Sequence, residues 1–175
     1  MALQTKEKVG STSSSAWTFK QKVIEKSIAE DNNSSAMTVE LFLGRADSTS
    51  YIGGSFSCYV TLGGKKKSFS GTIPYPTYID AGKWYSLGKV TFNEVEHNDD
   101  GTKTVSIKST MSSSDFTPSS ASVSDTMTLT PIEIGSVRIV INNEYKRAIP
   151  YIGLNGKWEK CKAYIGVNGK WKKGM

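Results

Sequence analysis

The residues whose types and spacing could do chemistry lie near the end of the chain. Tyr145, Tyr151, Trp158, Tyr164 and Trp171 recur there, with Lys160 and Lys173 close by. Aromatic rings suit the apolar faces of sugars, and neighbouring ammonium groups suit anionic substituents on a cell-wall polymer. The competing reading makes the same rings the core of a small module that has little else to bury. Other chemistry is scarce. The one histidine, His97, stands beside a polar turn and reads as a hydrogen-bonding group at a strand end. Asp99 and Asp100 fall short of the roughly six to eight oxygen ligands that calcium takes. Cys58 and Cys161 lack a CxxC neighbour or any metal-ligand spacing, so both read as free thiols. No HExxH pattern or phosphate-cradling glycine loop occurs. The sequence therefore predicts no enzyme, no cofactor and no metal.

The aromatic residues belong to a tandem repeat. YIGLNGKWEKCKA at 151–163 is followed directly by YIGVNGKWKKG at 164–174, and the same step taken backward reaches a degenerate copy, RIVINNEYKRAIP, at 138–150. Asn-Gly between two short runs is a hairpin signal, because a type I′ turn needs positive φ at both central residues. With Asn155 and Gly156 in the turn, Leu154 faces Lys157 and Gly153 faces Trp158. A large ring thus lies opposite a residue without a side chain, a pairing that rescues a glycine in a strand. In the degenerate copy Val140 replaces the glycine where Tyr145 replaces the tryptophan. Three small hairpins are predicted.

Charge divides the chain at the same place. Residues 136–175 hold nine Lys or Arg and two Glu, a balance of +7, whereas the remaining 13 basic and 14 acidic residues leave −1. Such a tail reads as a sheet edge protected by lysines, as a surface for an anionic partner, or, least favoured, as a nucleic-acid contact.

The elements that must carry these residues are strands. Ser, Thr and Gly are abundant, and short alternating apolar runs separated by turn residues dominate. Met37, Val39, Leu41 and Leu43 form one face of a strand, and Phe56, Cys58, Val60 and Leu62 form that of another. Val123, Met127 and Leu129 line a last strand. Gly63 and Gly64 mark a hairpin tip with Lys65, Lys66 and Lys67 as solvated loop residues, and PYPTYIDAGKW reads as a long connection. About seven strands spaced by turns predict an all-β protein. Its expected architecture is an immunoglobulin-like antiparallel β-sandwich followed by a module of three β-hairpin repeats. The expected divisions are a flexible or assembly-ordered arm at 1–16, the sandwich at 17–132 and the basic hairpin module at 133–175. No run is long and apolar enough for membrane insertion, and the start lacks a secretory pattern, so synthesis in the cytoplasm is expected.

The segments NNSSAMTVELFLGR, VEHNDDGTKTVSI and SVSDTMTLTPI resemble a family of minor structural proteins of tailed phages and prophages, found mostly with long-tailed phages of Gram-positive bacteria. The most recognisable signature is the turn His97, Asn98, Asp99, Asp100, Gly101 and Thr102. The resemblance covers residues 17–132, and the closing repeats are similar to those that end some tail and fibre proteins. It implies a virion component of the tail, baseplate or fibre, or a decoration subunit. Its implied partners are other virion structural proteins, further copies of itself in a symmetric assembly, and host cell-wall polysaccharide. It carries over no catalytic residue. Relatives of this kind often embed the sandwich in a longer polypeptide, and here it stands almost bare.

Overall fold

The computed structural model describes residues 3–29, 32–46, 48–98, 100–132, 137–141, 144–148, 151–160, 164–167 and 170–173. It is all-β and divides into two compact units, Met1–Ile132 and Glu133–Met175. The first unit holds β1 (Thr5–Thr12), β2 (Trp17–Ala29), β3 (Ser34–Arg45), β4 (Ser50–Leu62), β5 (Lys65–Ile79), β6 (Trp84–Glu96), β7 (Thr104–Ser112) and β8 (Ser120–Thr128). These form one antiparallel sheet in the order β5-β4-β7-β8-β1-β2-β3-β6, curled until it is nearly a closed barrel.

Period-two alternation builds the core. The inward residues of β2 are Trp17, Phe19, Gln21, Val23 and Glu25, and those of β4 include Phe56, Cys58, Val60 and Leu62. With Met37, Leu41 and Leu43 of β3 and Ile107 and Met111 of β7 they fill a single interior. Burial pushes the Cys58 thiol up to about 12, so it stays protonated and acts as a small apolar filler.

Three features of this unit differ from the expectations. The segment expected to be an arm is strand β1, which pairs with β2 from Thr5 to Gly10 and with β8 at Ser11 and Thr12. It thereby joins the two halves of the sheet. Its side chains are almost all exposed, so it has no apolar period and is held by backbone pairing, with surface ion pairs from Lys6 to Asp125 and from Glu7 to Lys20. The stretch read as a connection belongs to β5, where Pro74, Tyr75 and Pro76 fall in a register shift opposite Gly53. The bulge absorbs the prolines, which could not donate to a regular ladder. The lysine run, read as a solvated tip, closes the seam between the end strands. Lys65 Nζ donates to the Glu94 carbonyl at 2.9 Å and Lys67 Nζ to that of Thr91 at 2.6 Å. Side-chain donors there span two edges that backbone bonds do not join.

The second unit contains three two-stranded ladders: β9 (Val137–Ile141) with β10 (Glu144–Ala148), β11 (Tyr151–Leu154) with β12 (Lys157–Lys160), and β13 (Tyr164–Val167) with β14 (Lys170–Lys173). Gly153 pairs with Trp158, Gly166 with Trp171, and Val140 with Tyr145. Asn155 and Gly156 have φ of 50° and 75°, as a type I′ turn requires.

Candidate functional site

The sequence-predicted site residues are distributed over five strands of the second unit. Tyr145 lies on β10, Tyr151 on β11, Trp158 and Lys160 on β12, Tyr164 on β13, and Trp171 and Lys173 on β14. Register sets Tyr151 opposite Lys160 and Tyr164 opposite Lys173, so the same aromatic-basic pair recurs in two successive ladders. The positions of these seven side chains lie outside the described residues, as does Asp99.

In the first unit the polar groups converge on Glu25, which strand alternation points inward and which is 1% exposed. Its carboxylate accepts from the Ser35 hydroxyl at 2.8 Å, the Thr130 hydroxyl at 2.6 Å, the Thr130 amide at 3.1 Å and the Gln4 amide at 3.1 Å. Burial pushes the Glu25 carboxyl up, but these donors outweigh it and hold the group below its ordinary value of 4.5. Ser35 Oγ also lies 2.9 Å from His97 Nε2, while His97 Nδ1 donates to the Gly101 carbonyl at 2.8 Å. One hydroxyl proton cannot serve both Glu25 and His97 at once. The chain of bonds closes with the ring protonated on both nitrogens, or with the hydroxyl alternating between its two neighbours.

A serine, a histidine and a carboxylate in contact invite comparison with a nucleophilic triad. The wiring is wrong for one. The carboxylate bonds to the serine instead of orienting the imidazole, whose second nitrogen faces a carbonyl. Ser35 is fully buried and His97 is 7% exposed, which leaves a substrate no approach. The cluster is a fastening. It ties the segment after β8 to β2, and Ile132 N donates to the Gly101 carbonyl beside it at 2.9 Å. His97 thus has the hydrogen-bonding part that its place beside a turn suggests, with a burial that the polar turn did not reveal.

The same cluster joins two segments distant in sequence. Asn33, held at φ 48°, donates from Nδ2 to the carbonyls of His97 and Asn98, and its own carbonyl accepts from His97 N at 2.8 Å. The NNSS turn and the HNDDGT turn are therefore one interlocked piece. Asp100 closes the second turn by accepting from the Thr102 amide and hydroxyl at 2.9 and 2.6 Å. No protein-family model matches the chain, and no curated protein does. Function must be read from geometry.

Glu25 gives a pH dependence with a definite sign. Because its folded pKa is lowered, its contribution is present above the ordinary carboxyl value and is lost as pH falls through the folded value, below about 4.5. Chemical denaturation at pH 6, 4 and 3 is expected to show the native chain losing more stability on acidification than Glu25→Gln does. Equal losses would remove Glu25 from the acid response.

Sequence reasoning missed an aromatic group outside the repeats. Tyr51 on β4 and Tyr75 and Tyr78 on β5 are all exposed, and Tyr51 makes edge contacts with both of the others, with ring centroids 5.6 Å (to Tyr75) and 6.2 Å (to Tyr78) apart. The available signal was the YPTY spacing, but it becomes a cluster only through the register that sets Tyr51 opposite Tyr78.

Proposed function

We propose that this protein is a non-catalytic structural component of a bacteriophage particle, in the tail, baseplate or a fibre, or as a decoration subunit. The observation that carries this reading is the interlocking of the NNSS and HNDDGT turns around Glu25 and Ser35. Those two segments carry the resemblance to tail proteins, and their contact supports reading them together as one folded piece. In this reading the first unit is an immunoglobulin-like sandwich, with β1-β2-β3-β6 and β5-β4-β7-β8 as its two sheets and β1 bridging them. It acts by burying surface against other virion proteins and further copies of itself, and symmetric repetition turns weak host contacts into avidity. The hairpin module brings a +7 charge over residues 136–175.

A second reading makes the repeats a cell-wall carbohydrate-binding module. The repeated pairs Tyr151 with Lys160 and Tyr164 with Lys173 favour it. Immunogold labelling of negatively stained particles with an antibody to the chain tests the first reading. Gold at a fixed position on tails or heads is expected, and unlabelled particles beside labelled soluble protein would overturn it.

A further inference from the structure

The two outer faces of the first unit differ in chemistry. On the β1-β2 side, Lys20 and Lys22 reach Glu7 at 3.2 and 3.6 Å, the ordinary pairing of a solvated charged surface. Away from the lysines at its hairpin end, the outer face of β4 and β5 instead presents hydroxyls and phenol rings. We propose that this face binds a neutral polysaccharide, with Tyr51, Tyr75 and Tyr78 as the stacking platform and the adjoining groove as the hydrogen-bonding subsite. The proposal rests on the reading of the chain as a protein that contacts a surface, but not on its residence in a particle.

The platform is built and exposed at once. Tyr51, Tyr75 and Tyr78 are 56%, 71% and 68% exposed. Three phenol rings grouped in water form an apolar patch with polar tips, the surface that a sugar ring covers with its C–H face while its hydroxyls meet the phenols. Gly53 makes the arrangement possible, since a Cβ there would lie 2.4 Å from Cβ of Tyr75. The edge-to-face contacts hold the rings before any ligand arrives, which lowers the ordering cost of binding.

The groove lies further along the same two strands. Ser55 pairs with Thr72 and Ser57 with Ser70, and these four line a groove of about 620 Å³ together with Ser112 and Ser114. That volume is in the range of ligand sites, roughly 300–1,000 Å³. Its far wall is fixed. Asp115 accepts from the Ser55 amide at 2.7 Å, and the Ser113 hydroxyl donates to the Ser55 carbonyl at 2.8 Å. Each hydroxyl both donates and accepts, matching the hydroxyls of a sugar, and no cationic side chain lines the groove. An anionic polymer would find no cation there. An added protein strand fits poorly as well, because Pro74 and Pro76 present no N–H beside the platform.

Affinity electrophoresis of the full chain through native gels containing dextran, mannan, galactan or β-glucan tests this directly. At least one of the four is expected to retard the protein. Tyr75→Ala should weaken that retardation tenfold or more and Tyr75→Phe largely restore it, whereas Tyr59→Ala, at an exposed ring outside the cluster, should leave it unchanged. Retardation by none of the four, or retardation that survives Tyr75→Ala and is lost in Trp158→Ala, overturns the proposal. The assay needs no particle, so its failure is distinguishable from failure of the virion reading.

Discussion

Replacing Glu25 with alanine is expected to lower the unfolding free energy of the first unit by about 3–5 kcal/mol, the range for removing one member of a buried charged network. The carboxylate is the shared acceptor for two hydroxyls and two amides from Ser35, Thr130 and Gln4. Without it, the buried Thr130 amide and hydroxyl lose this acceptor, at about 1–3 kcal/mol for each such bond removed from the interior. The loss would fall first on the segment after β8, since Thr130 is held there by the carboxylate. Urea denaturation followed through native-state hydrogen exchange should show early exposure of the amides of Leu129, Thr130 and Ile132 in the variant. A change below about 1 kcal/mol would mean that water replaces the carboxylate without penalty. The cluster would then not be the fastening described above.

The second large effect is expected at Gly10, where β1 passes from β2 to β8. A Cβ on Gly10 would lie 2.1 Å from the Ser122 carbonyl oxygen and 2.5 Å from Cβ of Val123. The first of these is backbone in a paired strand, so no rotamer change relieves it. Gly10→Ala must push β1 off β8 and sacrifice the pairing of Ser11 with Ser122 and Thr12 with Ala121. Overpacking of this kind costs about 3 kcal/mol. Lys8→Ala, two residues away at an exposed position, should stay within about 0.5 kcal/mol. Comparable stability of Gly10→Ala and Lys8→Ala in urea would show that β1 does not join the two halves of the sheet at this point.

These two positions also mark what the sequence could and could not convey. The faces of β3 and β4 were legible because Met37, Val39, Leu41 and Leu43, and Phe56, Cys58, Val60 and Leu62, recur at every second position, mostly between polar neighbours, and all eight are buried. The pairing of Gly153 with Trp158 was legible because an Asn-Gly turn fixes register within a few residues. Strand β1 was not, since a strand held by backbone bonds and covering little core needs no apolar period. Glu25 was hidden for a related reason. Its inward direction follows from the parity of Trp17, Phe19, Gln21 and Val23, and a charge at the end of that series looks like the point where a strand leaves the core. Its donors come from residues 4, 35 and 130, a convergence that only the fold creates. The tyrosine platform depends on a bulge opposite Gly53, and bulges shift register without a sequence period of their own.

The central claim is that the chain is a built-in part of a particle. Quantitative mass spectrometry of particles released by cells that express the chain from its native locus, purified through two successive density gradients, tests this most directly. The account predicts the chain at a constant ratio to the major tail or capsid protein after both gradients. Its absence from the particles, or a ratio that falls toward zero in the second gradient, would contradict the account.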